Sequence, residues 1–189
     1  DAGVINGFSG NNMFTYKLSH ESGLNFTLGY INASDAVTDV SYSDFGVTYT
    51  GMDGLTIGYG EGDVESTTNS KTNESTMFAK YAFGSATVGI QVSENDSESG
   101  TDTESTGIGI SYQVNDDLAV SFGTNTLEKD GSSPDQESTA IGVSYTMGSL
   151  GISLSMHQVD NIANSATNDR EGYQLSLIHI SEPTRRRTI

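Results

Sequence analysis

The sequence has no cysteine and no tryptophan, only two prolines, and eight basic residues against 25 acidic ones. Without cysteine, a disulfide scaffold and thiolate metal sites are excluded. No run reaches the roughly 18 consecutive apolar residues that mark a transmembrane helix. That absence leaves membrane strands open, because a spanning strand shows lipid only every second residue. Basic patches and phosphate-binding glycine loops are missing, so nucleic acid is not an expected partner. Outside the last fifteen residues there are two histidines, His20 in a turn segment and His157 in an alternating run. Neither has an acid placed by spacing to complete a hydrolytic triad, so the expectation is that the chain is not an enzyme. A net charge of −17 with 34% hydrophobic residues would suit a disordered chain. The apolar residues, however, recur at every second position, which disorder does not require.

That alternation is organised by a repeat. Short turn sequences recur at His20-Glu-Ser-Gly23, Gly51-Met-Asp-Gly54, Gly84-Ser85, Asn115-Asp-Asp117 and Gly148-Ser149. The residues that follow them are Leu24, Leu55, Ala86, Leu118 and Leu150, spaced by 31, 31, 32 and 32. Each unit reads as strand, tight turn, strand and long polar loop, the turns being rich in residues that accept positive φ or make local side-chain hydrogen bonds. Eleven strands are expected, over about 12–19, 24–32, 41–50, 55–60, 75–83, 86–93, 105–114, 118–126, 138–147, 150–158 and 170–177. No segment carries a convincing helical period.

The two faces of these strands differ. In 106–114 one face is Thr106, Ile108, Ile110, Tyr112 and Val114, and the other is Gly107, Gly109, Ser111 and Gln113. A soluble sandwich would present many charged side chains on its solvent face. Small polar residues instead suit the interior of a wide barrel, where they line water without filling it. Tyr16, Tyr49, Tyr81, Tyr112 and Tyr145 each precede a turn. They are expected to form an aromatic girdle, with rings at headgroup level and hydroxyls in water. Eighteen of the 25 acids fall in the expected long loops 33–40, 61–74, 94–105, 125–137 and 158–171. Short turns at one end and long polar loops at the other describe an all-β, antiparallel, up-and-down transmembrane barrel. No cofactor is expected beyond weak Ca²⁺ binding by the acidic loops. The alternative is a secreted, soluble, acidic β-rich protein such as an adhesin or calcium-binding repeat, although the glycine-rich β-roll nonapeptide is missing.

Three features carry a family resemblance: Gly-Phe-Ser-Gly-Asn-Asn at 7–12 leading into a strand, the hairpin repeat, and Arg170-Glu-Gly-Tyr-Gln-Leu175 leading into the last strand. In that order they make the chain resemble the general-diffusion porins of Gram-negative bacteria, of the sixteen-stranded trimeric kind. The resemblance implies a bacterial outer-membrane location, membrane lipid and other subunits as partners, and passive diffusion of small hydrophilic solutes through a water-filled channel. It also implies that residues 1–11 end a loop that constricts the pore, and that 12–174 supply about 11 of 16 strands. By parity, Lys17, Asp44, Lys80, Gln91, Gln113, His157 and Arg170 would line that pore, and an acidic mouth would favour cations. The segment 175–189 instead resembles a translated sequencing adapter and is expected to be an artefactual tail. Without it the charge is −19, because three arginines and one glutamate are removed.

Overall fold

The computed structural model describes residues 13–31, 40–66 and 70–179. Within them lie β1 (Met13–Ser19), β2 (Leu24–Ile31), β3 (Val40–Tyr49), β4 (Leu55–Ser66), β5 (Ser70–Phe83), β6 (Ala86–Ser97), β7 (Thr103–Gln113), β8 (Leu118–Lys129), β9 (Gln136–Met147), β10 (Leu150–Asp160) and β11 (Arg170–His179). They form one antiparallel sheet in which each strand pairs with its neighbours in sequence, from β1 at one edge to β11 at the other. The eleven strands expected from alternation are these eleven, and together they make part of a barrel wall. The constricting loop expected over 1–11 and the tail after His179 lie outside the described residues, as does most of the loop expected over 33–40. β11 continues past Leu175 and pairs Leu177 with Ile152.

The long loops are shorter than their polarity suggested. β4 and β5 stay paired from Leu55–Tyr81 out to Ser66–Ser70, through most of the stretch expected to be loop. β6 and β7 stay paired out to Asn95–Thr103. A β ladder is held by backbone hydrogen bonds, so it continues where side chains turn polar. Polarity marks where the strands leave lipid, not where they end.

At the other end the turns are tight. Gly23, Gly54, Gly84 and Gly148 have φ of 85°, 73°, 56° and 58°, a left-handed conformation that only glycine adopts cheaply. The fifth turn has no glycine. Asn115 Oδ1 instead accepts hydrogen bonds from the backbone N–H of Asp117 and of Leu118, both at 2.9 Å.

The pairing register is staggered by a constant amount. Direct cross-strand partners lead from Leu24 through Ile57, Ile90 and Thr124 to Gln158. Those four lie two, four, six and eight residues beyond Leu55, Ala86, Leu118 and Leu150, the first residues after their turns. Each hairpin therefore slips two residues against the one before it. At about 3.3 Å per residue and about 4.8 Å between strands, this slip tilts the strands by about 35°. Barrel closure needs a tilt of roughly 35–45°.

No second layer packs on the sheet among the described residues, and no hydrophobic residue there is buried. Large apolar side chains such as Phe14 (64% exposed), Ile108 (56%) and Leu175 (66%) stand free. Thirty such residues are exposed, nearly all on one face. At roughly 1 kcal/mol for half of each side chain, leaving that face in water would cost on the order of 30 kcal/mol. That exceeds the roughly 5–15 kcal/mol stability of a domain, so the face must meet an apolar medium.

Candidate functional site

The register sorts every strand residue onto one of two faces. The apolar face carries three or four aliphatic or aromatic side chains per strand, such as Leu150, Ile152, Leu154 and Met156 on β10. Tyr49, Tyr81, Tyr112 and Tyr145 occupy equivalent positions on it, each paired with the first residue of the preceding strand: Leu24, Leu55, Ala86 and Leu118. Tyr16 is out of this row. Leu18, the partner of Phe26, holds the equivalent place, and Tyr16 sits two residues farther from the turn, opposite Leu28. The Tyr49 ring reaches back over the turn, where a Cβ on Gly51 would stand 2.7 Å from its hydroxyl oxygen.

The polar face holds all seven residues expected to line a pore. Lys17 pairs with Thr27, Asp44 with Gly29 and Gly62, Lys80 with Thr56 and Gly89, and Gln91 with Phe78 and Gly107. Gln113 pairs with Ala119, His157 with Ala140 and Gly172, and Arg170 with Val159. They are spread along the wall rather than gathered. Gln91 Nε2 donates to Ser93 Oγ at 3.1 Å and to Thr76 Oγ1 at 3.3 Å. His157 Nε2 shares a 2.8 Å hydrogen bond with Ser155 Oγ. Gln113 Nε2 donates to the Asn115 carbonyl at 2.7 Å, which places it at the turn rim. Lys17, Lys80 and Arg170 make no ion pair among the described residues, where the single ion pair joins Lys71 and Asp63 at 3.3 Å.

Two further polar-face residues, Glu74 and Lys129, lie in the expected loops 61–74 and 125–137, and a third, Tyr42, lies in the expected strand 41–50. Parity, continued past the apolar stretch, would have found them. Glu74 pairs with Gly62 and Asn95, Tyr42 with Ile31 and Val64, and Lys129 with Thr103. Glu74 is 7% exposed, and its Oε1 accepts a 3.2 Å hydrogen bond from Asn95 Nδ2. Burial pushes its carboxyl above the usual range against that hydrogen bond. It lies where the opposite face has already turned polar, with Asn73 and Ser75 on either side.

The same parity sorts the strand acids. Ten strand carboxylates fall on the apolar side of the wall, just beyond its aliphatic band. They are Glu61, Asp63 and Glu65 on β4, Glu94 and Asp96 on β6, Glu104, Glu128, Glu137, Asp160 and Glu171. Only Asp44 and Glu74 are strand acids on the polar face, against Lys17, Lys80, Lys129 and Arg170. The acid-rich composition therefore does not make the described polar face negative. No group of three or more histidine, aspartate or glutamate side chains could hold a metal among the described residues.

Solved structures of similar architecture include outer-membrane proteins. An anion-selective porin from Comamonas acidovorans is similar over 89% of this chain and 59% of its own, with a TM-score of 0.75 and 18% identity. OmpT of Vibrio cholerae, an outer-membrane protein, is similar over 88% and 63%, with a TM-score of 0.65 and 13% identity. A trimer form of the same protein gives a TM-score of 0.64 at 15% identity, over 88% of this chain and 64% of that one. The chain thus spans less than two thirds of the length of these proteins. No curated protein matches it. The family model described as Gram-negative porin matches residues 1–179, and the chain belongs to that family, whose place is the bacterial outer membrane.

Proposed function

We propose that these eleven strands form part of the wall of a closed barrel whose water-filled lumen lets small hydrophilic solutes and ions diffuse passively, without catalysis. One observation carries this reading: a sheet one layer thick, apolar and uncovered on one face, and small and polar on the other. A soluble adhesin or calcium-binding repeat would have to cover thirty exposed apolar side chains. Assembly of the whole protein as a homotrimer is part of the proposal, supported by the trimer form of the similar Vibrio cholerae protein.

Selectivity belongs to the charges that face the lumen. The cation preference expected from composition loses its basis, because ten carboxylates turn away from the pore. Four luminal cations against two carboxylates favour anions weakly at low salt, with the preference screened as the ionic strength rises. The test is planar-bilayer recording on the whole barrel that contains this wall. Conductance steps should scale with bulk salt conductivity, and the reversal potential in a salt gradient should lie on the anion side. Replacing Lys17 and Lys80 with Gln should move it toward cations. A barrel that does not conduct, or that runs as a water-soluble monomer without detergent, ends the channel reading. A cation-side potential in the unmodified channel ends the selectivity reading alone.

A further inference from the structure

The loop between β10 and β11, residues 161–169, does not stand clear of the wall. Side-chain hydrogen bonds tie it to the end of β8 and β9. Asn161 Nδ2 donates to the Asp135 carbonyl at 2.9 Å. Asn164 Nδ2 donates to the Pro134 carbonyl at 3.1 Å and lies 3.5 Å from the Leu127 carbonyl oxygen. The Ala163 backbone N–H donates to Gln136 Oε1 at 3.0 Å. Gln136 is in step with Ala140, the partner of His157, so its side chain belongs to the polar face. The loop therefore leaves β10, crosses β9 on that face and reaches β8. That is a span of two strand spacings, or about 10 Å.

The loop backbone is a second, independent observation. Among the described residues, positive φ outside glycine falls at Asn161, Ala163 and Asn164, with values of 57°, 57° and 59°. Asparagine tolerates that conformation, whereas alanine is disfavoured in it. Such a backbone persists where its surroundings over-determine it. The loop is also closed on itself. Ile162 N–H donates to the Asn168 carbonyl at 2.7 Å, and Asn161 N–H donates to Asp169 Oδ1 at 2.9 Å. A closed loop held at Pro134, Asp135 and Gln136 is a fixed part of the wall.

We propose that this loop is a size filter on the luminal wall, with Asn161, Asn164 and Gln136 as the positioning residues that hold it across β9. Lying on the polar face, it takes cross-section from the lumen at the long-loop end, and pore diameter selects solutes. It limits the size of neutral hydrophilic solute that enters from that end. The effect on passage rests on the channel reading, whereas the latch is a property of the fold.

The two are measured separately. Amide exchange reads the latch on the full chain in detergent micelles. The Ala163 N–H should exchange more slowly than that of Thr167 in the same loop. Asn161→Asp combined with Asn164→Asp should speed it by about tenfold or more, because a carboxylate cannot donate to the Asp135 and Pro134 carbonyls. A fast Ala163 amide in the unmodified protein, or no change in the folded variant, overturns the latch. Passage is read in planar bilayers on the whole barrel at high salt, with neutral polymers of graded size on the long-loop side. The same double variant should raise conductance by about 1.2-fold or more and admit larger polymers from that side. Asn161→Ala with Asn164→Ala, which removes the donors without adding charge, should act alike, and it decides if the first variant fails to fold. Thr167→Asp adds charge to the loop without touching the latch and should leave conductance and cut-off unchanged. Sheet content by circular dichroism is the folding control. An unchanged cut-off in the unlatched variants, or an equal rise in Thr167→Asp, overturns the filter while the channel reading stands. A barrel that does not conduct ends the channel reading and the filter with it, and leaves the exchange result intact.

Discussion

Two glycines show how differently single residues hold the turn rim. Gly84 has φ of 56° with open space where a Cβ would go, so its requirement is conformational. Gly84→Ala should cost roughly 1–2 kcal/mol, and Gly84→Asn, which tolerates the left-handed region, should recover much of that. Gly51 needs space instead: a Cβ there would stand 2.6 Å from Tyr49 Cε2 and would collide with the Ser22 carbonyl oxygen. Gly51→Ala should cost about 1–3 kcal/mol with no rescue by Asn. Unfolding midpoints in detergent distinguish the two cases. Asp63 gives a titration test beyond the aliphatic band. A hydrogen bond from Asn73 Nδ2 at 3.0 Å, then Lys71, holds its carboxyl below the usual carboxylate range against desolvation. A folded-state pKa lowered in this way contributes stability above the unfolded carboxylate pKa, and that contribution is lost as pH falls through the lowered value. Asn73→Ala should raise the Asp63 midpoint toward the ordinary range in a carboxyl NMR titration. An unmoved midpoint would assign the shift to Lys71.

At the scale of elements, the strands carry a conflict outside the lipid band. Glu94, Glu104 and Glu128 are direct cross-strand partners on β6, β7 and β8. Like charges directly opposite destabilise a sheet by about 0.2–1 kcal/mol per pair. Glu104→Gln removes both contacts and should raise the unfolding midpoint at low ionic strength, with the gain shrinking in high salt. A loss of stability on that substitution would show that the row is already neutralised. Alternation made all eleven strands legible in the sequence, because one face must be apolar at every second residue. The strand ends were not legible. Beyond the lipid band both faces are polar, so nothing in composition separates a ladder from a loop, and Glu74 and Lys129 are not marked there as polar-face strand residues.

For the whole molecule, which face a residue occupies outweighs its chemical type. Ile110→Arg would set a charge in the aliphatic band and should cost roughly 2–4 kcal/mol, while Ser111→Arg, one residue away on the polar face, should cost far less. Unfolding free energies in lipid vesicles test the pair, and equal costs would contradict the assignment of faces. The sequence by itself determined the class of this protein: a repeat of 31 or 32 residues, tight turns at one end and alternating strands with few charges at mid-length. Those signals are local, each set by a few neighbouring residues. The tilt, the row formed by Asp44, Gly62 and Glu74, and the outward turn of ten carboxylates were decided only by the tertiary structure. Each depends on register between strands, and a slip of one residue would send every side chain of a strand to the other face.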